Sequence, residues 1–153
     1  LSAQGSTGWN KDAGINLRWS SPQRIADFIA LDGDIYLFIG SSNDDNLPEL
    51  IPAVTGTLNA IRAAKPNCII IGIGMVTGNS SVVNDKIKSG FLSANDQSKT
   101  FFIDNVTPNQ WTNQAYLGQL WTPTGDGVHL TQDGRDRFGD IASNAIQSIL
   151  YNL

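Results

Sequence analysis

Asp126-Gly127-Val128-His129-Leu130-Thr131 places a carboxylate shortly before the only histidine of the chain. A serine hydroxyl is a weak nucleophile, and an imidazole base can take its proton. The imidazole works best when a carboxylate on its other nitrogen fixes the tautomer and stabilises the imidazolium. A loop with Asp at i and His at i+3 can present both side chains to the same side. The same residues also read as a surface histidine ahead of a helix, with Thr131 as its N-cap.

Two further segments offer donors for a developing negative charge. Gly40-Ser41-Ser42-Asn43-Asp44 follows an apolar run. A primary amide such as that of Asn43, well aimed at an oxyanion, lowers a barrier by roughly 3–4 kcal/mol. Ser, Asn, Asp and Gly are equally the residues of a polar turn, and Asp44 or Asp45 would suit the cap of the next helix. Gln4-Gly5-Ser6-Thr7-Gly8-Trp9 is glycine-rich, and glycine lets a backbone N–H approach a ligand closely. Trp9, Trp111, Tyr116 and Trp121 lie in sequence beside these segments. Such rings could stack on sugars, or could pack loops onto a sheet. Ser42 is a further polar residue able to meet a substrate.

These segments need a scaffold, and the apolar pattern supplies one. Residues 1–20 read as loop. Ser21-Pro22 starts a helix as N-cap and first helical residue, Ile25, Phe28, Ile29 and Leu31 share a face, and Gly33 ends it. Residues 34–39 form an apolar run of strand length. Residues 48–65 carry helical spacing, with Pro52 and Gly56 disturbing it. An Ile-rich strand spans 68–75, a helix 82–92 and a third strand 100–103. Residues 104–125 form a long polar segment, and a final helix covers about 131–150. Apolar strands separated by helices predict an α/β fold: a parallel sheet covered on both faces, three-layered and flavodoxin-like, with right-handed crossovers. Ligands of such sheets bind at the carboxyl ends of the strands. The segments after Ile39, Gly74 and Ile103 are therefore the ones to watch.

The 153 residues are 41% hydrophobic and 16% charged, enough for one cored domain. A formal net charge of −4 and scattered Lys and Arg argue against a nucleic-acid partner or an anionic membrane. No apolar run approaches a membrane span. Cys68 is the only cysteine and sits in an apolar run, as a small buried hydrophobe would. One histidine and one isolated cysteine make a zinc site improbable, and no dinucleotide or phosphate-loop glycine spacing is present. No cofactor or metal is expected. Asn79-Ser80-Ser81 and Asn105-Val106-Thr107 match the glycosylation pattern.

In this order and on this framework, the segments resemble the SGNH (GDSL-like) hydrolase family. Its motif blocks are a Gly-Asp-Ser nucleophile block, a glycine block, a Gly-x-Asn-Asp block and an Asp-x-x-His block. Gly5 looks like the glycine of the second, Asn43 the asparagine of the third, and Asp126 with His129 the fourth. Ser41 stands where the third block usually has glycine. No Gly-Asp-Ser sequence occurs, and Ser2, Ser6, Ser41 and Ser42 are poor substitutes. The resemblance implies an N-terminally incomplete single domain, lacking the early strands and the nucleophile. It implies that an upstream segment or companion chain completes the sheet at strand 34–39, whose edge would otherwise be bare and apolar. The start at Leu1, without a Met, fits that expectation.

The implied chemistry is carboxylic ester hydrolysis. An upstream serine attacks an ester carbonyl, His129 acts as base, Asp126 orients it, and Asn43 with the Gly5 N–H holds the oxyanion. Activity should then rise with pH as an imidazole of ordinary pKa, about 6.5, loses its proton. The aromatics suit an O-acetylated carbohydrate, with Trp9, Ser42, Trp111 and Trp121 as substrate contacts, and the chain would be extracellular or secreted. Two rival readings stand beside this one. The fold could serve as a non-catalytic carbohydrate-binding or structural module, or as a flavodoxin-like small-molecule binder.

Overall fold

The computed structural model describes residues 8–40, 43–74, 81–105 and 130–153. Within them the chain is α/β, with three parallel strands and four helices. Helix α1 spans Pro22–Ala30 and begins as its sequence dictates. Ser21 is extended (φ −70°, ψ 146°), its Oγ accepts the Arg24 N–H at 3.3 Å, and Pro22 fills the first helical position. The turn that ends it differs from expectation. Its left-handed residue is Asp32 (φ 50°) and not Gly33. Aspartate tolerates this region better than most residues, and the Asp32 carboxylate is ion-paired with Lys65. Leu31, expected on the apolar face, is exposed.

Strands β1 (Ile35–Ile39), β2 (Ile69–Ile73) and β3 (Thr100–Ile103) pair in parallel in the order β1-β2-β3. Leu37 lies opposite Ile71 and Phe38 opposite Gly72; Gly72 in turn lies opposite Phe102. Helix α2 (Leu50–Ala64) starts two residues later than its sequence suggests. Pro52 falls in its first turn, where a missing N–H costs nothing. Helix α3 is Ser81–Leu92. Helix α4 is Gln132–Tyr151, capped by Thr131, whose Oγ1 accepts the Gly134 N–H at 3.1 Å.

One face of the sheet carries the main core. Tyr36, Phe38 and Ile70 are buried there with Phe28 of α1, Leu50, Val54, Leu58 and Ile61 of α2, and Ile87 and Phe91 of α3. Burying each large aliphatic or aromatic side chain contributes about 1.5–3 kcal/mol. The Phe91 ring lies over Gly72, filling the space a Cβ would need. On the opposite face Ile71 and Ile73 are buried, but Ile35, Leu37 and Ile39 of β1 are 41–44% exposed. The apolar run of β1 is thus buried on one face only, not on both as its composition predicts.

At the amino ends of the strands, the buried Arg62 of α2 acts as a clamp. Its guanidinium donates to the carbonyls of Cys68, Pro66 (3.2 Å) and Lys99 (3.1 Å), and to Thr100 Oγ1 (3.3 Å). Cys68 is buried, as its apolar surroundings in the sequence imply, and burial pushes its thiol pKa up. This end is tied down, which leaves the carboxyl ends of the strands as the side where loops diverge.

Candidate functional site

At the carboxyl ends the strands stay hydrogen-bonded as they leave the sheet. The Gly40 N–H donates to Ile73 O at 2.7 Å, and the Gly74 N–H to Ile103 O at 3.0 Å. Beyond Gly40 comes Asn43, half-buried, and then Asp44, buried. The turn is held from across the chain. Asp44 Oδ1 accepts the Asn10 N–H at 2.9 Å. The Asn10 side chain donates to Asp45 O at 3.0 Å and accepts the Asp45 N–H at 3.1 Å. Lys11 Nζ pairs with Asp45 Oδ1 at 2.9 Å. Asp44 and Asp45, which by sequence could have capped α2, are spent on this clasp. Glu49 takes the N-cap position without a side-chain bond.

A second polar group gathers after β2 and β3. Asn84 of α3 is wholly buried and donates to Asp104 Oδ1 at 3.3 Å. Lys88 Nζ donates to Asp104 Oδ2 at 2.8 Å. That bond, and then the carboxylate's charge, raise the Lys88 pKa. Gly74 makes room for both neighbouring amides. A Cβ on it would lie 2.5 Å from Asn84 Oδ1 and would also collide with Asn105 Oδ1. Asn105 is buried, so its match to the glycosylation pattern does not present an accessible acceptor.

The sequence-derived site residues fare differently. Asn43 lies in the turn after β1, at the carboxyl end of that strand. Trp9 is wholly buried, with its ring centroid 4.9 Å from those of Trp19 and Phe38 and 5.8 Å from that of Phe91. Of the two roles weighed for Trp9, packing the loop onto the sheet accounts for its ring, and no face is left open to a sugar. Gly5, Ser42, Trp111, Trp121, Asp126 and His129 lie outside the described residues, as do Ser41 and Tyr116. Thr131 serves as the helix cap that its sequence suggests, directly after the segment holding His129.

Sequence reasoning missed Asn10, Lys11, Asn84, Lys88 and Asp104. Each is a single polar residue whose partner is distant in sequence, so no local pattern marks it. Asn10 also lines an open groove of about 460 Å³ between the 8–20 loop and α2, with Arg18, Ser20 and Glu49 on its walls. Among the described residues, no three His, Cys, Asp or Glu side chains converge as a metal site would require. No described helix is long and apolar enough to cross a membrane.

Parallel strands with helical crossovers and a polar carboxyl end define an α/β domain of the flavodoxin-like kind. A solved structure of a peptidoglycan O-acetylesterase has the same fold, with a TM-score of 0.61 at 19% sequence identity. The match covers 86% of this chain and 42% of that one, so the chain spans less than half the length of the esterase. No family model and no curated protein matches the sequence.

Proposed function

We propose that these residues form part of an SGNH-type serine hydrolase that cleaves carboxylic esters, with O-acetyl groups on a carbohydrate as the substrate class. The observation that carries the reading is the position of Asn43. It stands at the carboxyl end of β1, in a turn fixed on both sides, on a fold shared with a peptidoglycan O-acetylesterase. A donor carried on a turn already held in place suits oxyanion stabilisation, because less has to reorganise as charge develops.

In this reading His129 takes the proton of a serine on an upstream segment and delivers it to the leaving alcohol. Asp126 orients His129. The Asn43 amide and the Gly5 N–H receive the carbonyl oxygen as it gains charge, and water then hydrolyses the acyl-enzyme. The segment bearing the serine adds a strand beside β1. Two observations support such a neighbour: β1 pairs only with β2 among the described residues, and its Ile35, Leu37 and Ile39 row is half exposed. Trp111, Trp121 and Ser42 contact the sugar. An acetylated wall polysaccharide as substrate places the protein outside the cell.

The test is labelling of the natural polypeptide with a fluorophosphonate serine probe, together with acetate release from an O-acetylated polysaccharide. Labelling on a serine upstream of residue 1, abolished by His129→Ala, supports the reading. A polypeptide that neither labels nor releases acetate, yet binds the polysaccharide, is a non-catalytic module.

A further inference from the structure

We propose that Asn10 is a positioning residue that aims the Asn43 amide at the oxyanion; this rests on the hydrolase reading above. Asn43 lies between two anchors. On one side the Gly40 N–H is bound to Ile73 O. On the other, Asp44 and Asp45 are bound to Asn10 through three hydrogen bonds, across 34 and 35 residues of sequence. The Asn10 side chain uses both of its halves on a single residue. Its carbonyl oxygen accepts the Asp45 N–H while its NH₂ donates to Asp45 O. Two antiparallel bonds to one residue fix orientation as well as position. A single bond would leave the turn free to rotate about it.

The clasp reaches across the chain: Asn10 belongs to the loop before α1 and Asn43 to the turn after β1, and the Asn10 bonds tie those two parts together. A displacement of about 1 Å at a reacting centre can cost on the order of 100-fold in rate. The chemistry of the position is narrow. An alanine there makes neither side-chain bond. An aspartate can accept the Asp45 N–H but has nothing to donate to Asp45 O. The Lys11–Asp45 pair is half-exposed, which weakens it through solvent screening.

The experiment is a double-mutant cycle on the natural polypeptide carrying these residues, read with an aryl acetate. Asn10→Ala is expected to lower kcat by about 10- to 100-fold with KM within about two-fold. In an Asn43→Ala background the same change is expected to leave kcat nearly unaltered, because the amide it aims is gone. Asn10→Asp should not rescue. A thermal melt of each variant reports the stability cost, which should be similar in both backgrounds. If the kcat losses multiply, Asn10 does not act through Asn43 and the proposal fails while the hydrolase reading stands. If wild type neither turns over the acetate nor labels with the serine probe, the hydrolase reading fails and takes this role with it.

Discussion

Gly90 of α3 lies so close to Val54 of α2 that a Cβ on it would sit 2.5 Å from Val54 Cβ. The Thr55 hydroxyl donates to Gly90 O at 3.0 Å across the same contact. The two helices meet backbone to side chain, and the absent methyl is what allows it. Gly56, also in α2, has nothing within 4 Å of the place where its Cβ would be. Gly90 and Gly56 therefore predict opposite outcomes. Gly90→Ala should destabilise by about 1–3 kcal/mol through overpacking. Gly56→Ala should stabilise by about 0.5–1 kcal/mol, since alanine loses less backbone entropy in a helix. Urea unfolding of both variants checks this, and an equal effect of the two would contradict the helix contact.

Arg62 predicts a larger loss. Its guanidinium is buried and satisfies carbonyls of Cys68, Pro66 and Lys99. Removing it by Arg62→Ala leaves buried acceptors without donors, at about 1–3 kcal/mol for each that water cannot reach. A fall of at least about 2 kcal/mol in unfolding free energy is expected. Arg62→Lys should recover only part of it, because an ammonium lacks the flat fork that spans several acceptors. Full recovery by lysine would mean that charge, not geometry, holds the strand ends.

Acid should weaken the fold partly through Asp96 and Asp32. The Ser98 hydroxyl, 2.5 Å from Asp96, holds that carboxyl below the usual carboxylate range, helped by the charges of Arg62 and Lys99 and opposed by desolvation. The Lys65 ammonium does the same for Asp32, by its hydrogen bond first and its charge second. A carboxyl lowered in the folded state stabilises it fully above the unfolded pKa, about 3.9. That contribution disappears as pH falls through the lower folded value. Lys65 is raised by the same pair, so its share is present below the unfolded lysine value, about 10.4, and is lost as pH rises through the folded one. Urea midpoints should fall more steeply from pH 5 to pH 2 in wild type than in Asp96→Asn. Asparagine also tolerates the left-handed conformation of residue 96 (φ 56°). Identical slopes would remove Asp96 from the acid transition.

The order of the seven elements was legible because local chemistry and global fold agree in them. Ser21 with Pro22, and Thr131, carry their caps in their own side chains, so α1 and α4 begin where the sequence says. The strands are short apolar runs between turn residues, and their parallel pairing follows from the helices between them. The start of α2 lies two residues past the one its spacing suggests, and Asp44 and Asp45, which look like helix caps, bind Asn10 and Lys11 instead. Trp9 had two readings, and only tertiary packing against Phe38 and Phe91 distinguishes them. That Asn43 falls in the turn after a strand was legible from the apolar run before it. Asn10 was not, because an asparagine in a polar loop has no periodicity that points to a partner so far along the chain.

The open side of β1 makes the last prediction. Its outer edge has no described strand partner, and Ile35, Leu37 and Ile39 are half exposed on the face away from the main core. Unpaired backbone groups beside apolar side chains are a template for another strand. Residues 1–153 expressed alone should therefore associate as concentration rises, and sedimentation velocity will show it. Leu37→Lys should shift the population toward monomer, since a charge on that face resists both stacking and edge pairing. Gln147→Lys, at an exposed position of α4, is the control, because it adds the same charge on a helix and not on β1. If the wild-type chain remains monomeric over the whole range and melts cooperatively, the edge needs no partner, and the proposal that an upstream strand completes the sheet falls. If Leu37→Lys and Gln147→Lys act alike, net charge rather than β1 controls the association.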